Sequence, residues 1–187
     1  MKTPEVDEPI TLVEPDPQWP ALYASEAERV RGVLGAVVTR IEHVGSTAVP
    51  GLVGKPIVDL LVGVRSLDEG KAAAPRLVAL GYEDFGEVFI PGRLYLRRRG
   101  PPDFNVAIAE EGGAFFTAQL AVRDYLRAHP DEVKAYADEK RKAYAHGARL
   151  FSTYSQQKNA FVTSLVERAL AWASASRGAT PSPETQT

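Results

Sequence analysis

Between residues 42 and 64 the chain reads EHVGSTAVPGLVGKPIVDLLVGV, with the pair Gly45-Ser46 placed thirteen residues before an aspartate, Asp59, that sits in an aliphatic run. A glycine after a strand lets the backbone approach a ligand closely, and a serine hydroxyl with nearby amides can hold a phosphate oxygen. On a strand Asp59 shares a face with Ile57 and Leu61. A carboxylate beside a phosphate-binding turn suits a magnesium ion bridging protein and nucleotide. The alternative is a plain turn followed by a buried carboxylate that backbone amides or Arg40 satisfy.

Other residues extend either reading. His43 shares the strand face of Gly45 and is suited to contact a phosphate or to orient Asp59, or to serve as a core histidine. Lys55, at the entry of the Asp59 strand, can neutralise a triphosphate or stand exposed in its loop. Arg93, Arg97 and Arg99 share a strand face with Tyr95. They make an anion site, or a charged edge strand that blocks aggregation. Arg123 and Lys140 lie on C-terminal helices, and Lys140 reads as part of an ordinary solvated charge run beside Asp138 and Glu139.

The elements that must position these residues follow from periodicity. Residues 15–35 read as an amphipathic helix with Pro20 near its first turn, and 36–45 and 54–64 as strands. Residues 67–81 read as a helix that Pro75 starts or kinks. Three further strands are expected over 82–92, 92–100 and 102–110, and three helices after Gly113. The predicted class is α+β: a mixed or antiparallel sheet of about five strands with flanking helices, then a helical half. Residues 12–113 form the expected core and 114–175 a helical region packed on it, with 1–11 and 176–187 expected to be disordered.

The stretches RIEHVGSTAVPGLVGKPIVDLLVGV, IPGRLYLRR and RDYLRAHP, with Tyr154, Lys158 and Ala160-Phe161 in the last helix, resemble the GrpB family, a branch of the nucleotidyltransferase superfamily. The resemblance covers roughly residues 12–170 and implies a nucleotidyltransferase-like fold. It implies that Gly45, Ser46 and Thr47 hold the phosphates of a nucleoside triphosphate, with His43, Lys55, Arg93, Arg97 and Lys158 assisting. Asp59 would hold magnesium. Relatives fused to dephospho-coenzyme A kinase hint at nucleotide or coenzyme chemistry. Two departures stand out. The superfamily's second carboxylate falls at position 61, which is Leu61, and the family's His-x-His pair is replaced by Asp103 and Asn105. Asp103 is where a third superfamily carboxylate could stand, so the expected metal pair is Asp59 with Asp103.

Two functions are thus expected. One is a magnesium-dependent nucleotidyltransferase acting from ATP on a small-molecule acceptor, or adenylating a carboxylate. The other is a noncatalytic nucleotide- or coenzyme-binding module. Composition narrows the remainder. A net charge of −2 supplies no bulk field for nucleic acid, and the lack of cysteine excludes thiolate metal sites and a cysteine nucleophile. No signal peptide is read at the N-terminus and no apolar run is long enough to span a bilayer, so a cytoplasmic protein without membrane partners is expected, and the resemblance implies a bacterial one.

Overall fold

The computed structural model describes residues 7–178, and the disorder expected over 1–6 and 179–187 lies outside the described residues. The elements are α1 (Trp19–Leu34), β1 (Arg40–Val44), β2 (Ile57–Val64), α2 (Leu67–Val78), β3 (Glu83–Asp84), β4 (Arg93–Arg98), β5 (Asp103–Glu110), α3 (Ala114–Ala128), α4 (Pro130–Ala145), α5 (Phe151–Gln157) and α6 (Asn159–Gly178). The class is α+β. The sheet has five strands in the order β1-β2-β5-β4-β3, with β2 and β5 parallel and the other pairs antiparallel.

The sheet is buried on both faces, which explains why β2 reads as a continuous apolar run rather than an alternating one. On one face Val58, Leu60, Val62 and Val64 pack with Leu94, Leu96, Val106 and Ile108 against Val30 and Leu34 of α1 and Ala73 and Leu77 of α2. On the other, Leu61 packs with Val44, Ala109 and Phe116 of α3. The loop after β1 completes the molecule: Val49, Leu52 and Val53 enter a cluster with Ala121, Tyr125, Leu126, Ala137, Leu165 and Ala169 from α3, α4 and α6. One loop therefore belongs to the core of the helical half while carrying the Gly-Ser turn.

Several boundaries differ from expectation. Residues 7–11 are tied down rather than disordered: Ile10 is buried and its amide donates to the Arg149 carbonyl at 2.8 Å, while the Phe151 amide donates to the Glu8 carbonyl at 2.9 Å. Residues 176–178, also expected to be disordered, extend α6. Pro75 neither starts nor ends α2; it sits inside it, and Ser66 caps the helix by accepting from the Glu69 amide. The strand expected over 82–92 shrinks to Glu83–Asp84, because Gly86, Phe89 and Gly92 all take positive φ. The last expected helix breaks at Lys158 into α5 and α6.

Leu61 tests the face assignment. It is fully buried among apolar side chains, so restoring a superfamily-type carboxylate with Leu61→Asp is expected to cost about 4 kcal/mol or more. Urea unfolding measures this, and a wild-type midpoint in Leu61→Asp would contradict the packing described.

Candidate functional site

The carboxylate inside the aliphatic strand faces the helical half, in register with Val44 of β1 and Asn105 of β5. Its Oδ1 accepts from Asn105 Nδ2 at 2.7 Å. Asn105 Oδ1 in turn accepts from Tyr95 Oη and Arg99 Nη2, each at 3.0 Å, and Arg99 pairs with Glu8 at 2.7 Å. The other oxygen, Oδ2, lies against the Gly45 backbone, and a Cβ at position 45 would sit 2.3 Å from it. Gly45 has φ 72° and ψ −168°, a conformation open essentially to glycine alone. The Gly-Ser turn and the aspartate are one unit: the turn can lie on the carboxylate only without a side chain. Burial pushes the Asp59 carboxyl upward, while the Asn105 hydrogen bond and the charges of Lys55, Arg99 and Lys140 oppose that rise.

Cations dominate the surroundings. Lys140, from α4, donates to Ser46 Oγ, and to the Val53 carbonyl at 2.8 Å. Lys55 lies 4.5 Å from the centre of the Phe151 ring and Lys158 lies 5.3 Å from that of Tyr154. Among the described residues, the ammonium groups of Lys55 and Lys158 make no hydrogen bond or ion pair, and Lys140 has no carboxylate partner. Arg93 faces the same space over Tyr95, donates to the Val88 carbonyl at 2.6 Å, and leaves its buried Nε without a partner. Burial lowers the pKa of all three amines. Lys158 lowers Lys55 and Lys140 further, and Asp59 raises each of the three in part.

Lys55, Asp59, Arg93 and Lys158 border a two-lobed cleft. One lobe, about 540 Å³, is lined by Lys55, Asp59, Arg93, Asn105 and Phe151, with Phe89 and Ile90 at its edge. The adjoining lobe, about 320 Å³, is lined by Gly45, Asp59, Arg93, Phe115, Gln119 and Lys158. Ser46 borders a smaller space of about 130 Å³ beside Gly45 and Tyr136. Asp7, a carboxylate of the first lobe, is already bonded to the Ser152 amide and hydroxyl.

The structure brings together Gly45, Asp59, Lys55, Arg93, Asn105 and Lys158 and sends other candidates elsewhere. His43 points to the opposite face of the sheet. Its Nε2 is 2.9 Å from Thr47 Oγ1 and its ring stacks on Tyr23 at 4.6 Å, so neither it nor buried Thr47 lines the cleft. Arg97 pairs with Glu83 and Glu8, and Arg99 with Glu8. Of the arginine trio, Arg93 alone lines the cleft. Asp103 does not join Asp59: it lies opposite Ile57, and its Oδ1 accepts from the Gly100 amide at 3.0 Å, closing the turn before β5. With Leu61 apolar, Asn105 on one Asp59 oxygen and three amines nearby, this donor set does not fit a protein-held magnesium. Among the described residues no group of three or more His, Cys, Asp or Glu gathers as metal ligands. Lys140 was the residue hidden in its charge run. Its signal was spacing: Ala137, Lys140 and Ala143 recur every three residues, and all three are buried.

A model of the GrpB protein family matches residues 9–168. The chain belongs to the GrpB family. A UPF0157 protein of Halalkalibacterium halodurans is 37% identical over 167 residues, which cover 86% of this chain and 82% of that protein. The crystal structure of conserved protein GrpB from Enterococcus faecalis superposes with a TM-score of 0.78 at 32% identity, covering 87% of this chain and 99% of that one. A dephospho-CoA kinase of Mycolicibacterium paratuberculosis is 28% identical over 191 residues, matching 88% of this GrpB chain but 47% of the kinase. No helix among the described residues is long and apolar enough to cross a membrane.

Two outcomes follow from this geometry. Gly45→Ala is expected to destabilise the protein by about 3 kcal/mol or more. Gly51→Ala, which also has positive φ but opens onto free space, is expected to cost about 1 kcal/mol; equal losses in chemical denaturation would refute the contact with Asp59. Burial and the charges of Arg127 and Arg123 push His43 down to about 4. The unfolded chain therefore takes up a proton near pH 6.5 that the folded protein refuses until about pH 4. Up to about 3 kcal/mol of stability disappears as pH falls through that window, and His43→Gln is expected to flatten this acid limb in urea titrations.

Proposed function

We propose that the cleft binds the phosphate groups of a nucleotide or nucleotide-type coenzyme, as a noncatalytic module that needs no protein-held metal. The observation that carries this is the set of Lys55, Lys158 and Arg93 lining the cleft beside Asp59, with Lys140 behind the Gly-Ser turn. The half-buried ammonium groups of Lys55 and Lys158 have no anionic partner among the described residues, and a phosphate supplies the missing negative charge and acceptors. The glycine-serine turn supports the reading because it brings backbone close to the cleft without a side chain. The likeness to a chain named dephospho-CoA kinase points in the same direction. A cleft of about 540 Å³ with an adjoining lobe of about 320 Å³ matches the size of sites that enclose a whole small molecule.

Nucleotidyl transfer, which nucleotidyltransferase ancestry would imply, needs carboxylates to hold its metal ions. The neighbours of Asp59 are an amide and amines, so no catalytic step is assigned.

The test is calorimetric titration of ATP into wild type, Asp59→Asn and Lys158→Met, in EDTA and in magnesium. Binding is expected in EDTA and is expected to persist or strengthen in Asp59→Asn, which removes the cleft carboxylate that Ser152 does not hold. An absolute magnesium requirement abolished by Asp59→Asn would overturn the proposal in favour of a metal-dependent transferase. Lys158→Met is expected to weaken ATP binding at least tenfold while leaving the unliganded protein as stable as wild type or more so, because it deletes a half-buried ammonium that has no acceptor among the described residues. Thermal denaturation without ligand reads the second effect.

A further inference from the structure

The cleft has an apolar end as well as a cationic one. Among the described residues four large hydrophobic side chains are exposed, and two of them, Phe89 at 70% and Ile90 at 40%, are adjacent and line the lobe of about 540 Å³. Hydrophobic residues exposed singly need no explanation, but a pair at the mouth of a cleft does. The loop before β4 holds Phe89 in place. Its φ of 63° is the one positive value taken by a non-glycine residue among the described residues, and a bulky side chain rarely adopts it. Both flanks are pinned: Glu87 pairs with Lys71 at 2.8 Å and accepts from the Gly92 amide at 2.9 Å, and the Val88 carbonyl accepts from Arg93 at 2.6 Å. A strained position that keeps an aromatic ring out of the core points to a role for the ring. Phe151, Ser155 and Asn159, from α5 and the start of α6, line the same lobe, and the side chains of Ser155 and Asn159 make no hydrogen bond among the described residues. Asp59, Ile90 and Arg93 line both lobes, so the apolar and cationic ends are one continuous space.

We propose that Phe89 and Ile90 form a seat on which the base of a bound nucleotide stacks, and that Phe89 makes the cleft prefer a nucleoside phosphate to a bare polyphosphate. The proposal rests on the phosphate-binding reading, which places the anionic end beside Arg93 and Lys158. A ligand that fills both lobes needs an anionic end and a flat apolar end joined by a short linker, and a nucleotide has that order in its phosphates, ribose and base. Every base has a π face, so a phenyl ring is a platform that accepts purines and pyrimidines alike. Ser155 and Asn159 offer donors and acceptors to ring nitrogens and exocyclic groups. An aliphatic chain in the same lobe would leave them unpaired. Arg93 joins the two ends: it lines both lobes, and its Nη2 fixes the Val88 carbonyl next to Phe89. The group that meets the phosphates therefore also holds the platform for the base.

The probes are ATP and inorganic tripolyphosphate, which carries the same three phosphates without a nucleoside. Each is titrated calorimetrically in EDTA into the full chain, into Phe89→Asn and into Phe89→Trp. Asparagine removes the ring yet suits a positive φ, and tryptophan keeps an aromatic platform. Thermal denaturation checks that both variants fold, as the exposure of Phe89 leads one to expect. Wild type is expected to bind ATP at least tenfold more tightly than tripolyphosphate. Phe89→Asn is expected to lose about tenfold in ATP affinity while binding tripolyphosphate within twofold of wild type, and Phe89→Trp to keep ATP affinity within a few-fold. The fluorescence of Phe89→Trp, read against wild type, is expected to be quenched by ATP and not by tripolyphosphate. If the two ligands bind wild type alike and Phe89→Asn weakens neither, the base seat fails and the phosphate reading stands. If Phe89→Asn weakens both equally, the loop closes on any anion and the base seat fails as well. If neither ligand binds, the phosphate reading falls and the seat falls with it.

Discussion

Positive charge gathered in a cleft without matching negative charge is the constraint on which this molecule turns. Removing an ammonium group from water is costly unless a carboxylate or several acceptors replace the hydration shell. Lys55, Lys140 and Lys158 all feel the single carboxylate of Asp59, and burial lowers the pKa of all three. The unfolded chain keeps these protons to higher pH than the folded one, so the cluster disfavours folding at neutral pH and that penalty fades as pH rises toward 10.5.

The contrast with the rest of the chain sharpens this. Elsewhere, buried charge is matched. Glu26, nearly inaccessible, accepts from Tyr82 Oη at 2.9 Å and pairs with Arg98 at 2.7 Å. Arg123 pairs with Glu42 and donates to the His43 carbonyl at 3.2 Å, fastening α3 to β1. Arg127 donates to the Ala48 carbonyl at 2.9 Å and fixes the loop after the Gly-Ser turn. Glu8, brought in by the N-terminal segment, neutralises Arg97 and Arg99. These pairs hold the frame rigid around a cleft whose own cations are left over, and Asn105 links the two: it is bonded to Arg99 of the paired network and to Asp59 of the cleft.

How much of this was legible in the sequence depended on range. Gly45, Ser46 and Asp59 are visible as a unit because a left-handed glycine, a short loop and a carboxylate in an aliphatic run each break a local rule, and rule-breaking concentrates at functional sites. The helices and four of the strands followed from periodicity. The fate of individual charges did not, because pairing is a long-range property. Glu8 reaches Arg99 across 91 residues and Lys140 reaches Ser46 across 94. Asp103 matched the spacing of a metal ligand, yet the turn at Gly100 claims it. His43 shares a strand with the turn but faces the other layer, because side chains alternate along β1: Val44 lies opposite Asp59 and His43 opposite Leu60. Residues 7–11 look unstructured by composition and are ordered by contacts with Arg149 and Phe151.

The central claim is that burial lowers the pKa of the Lys55, Lys140 and Lys158 amines and that a bound anion raises it again. Calorimetric titration of ATP in EDTA at mildly alkaline pH, repeated in two buffers of different ionisation enthalpy, reads this directly. Binding is predicted to draw protons from the buffer, because the incoming phosphates raise the pKa of Lys55, Lys140 and Lys158. Proton uptake is predicted to shrink in Lys158→Met. Binding with no proton uptake, or with proton release, would contradict the account.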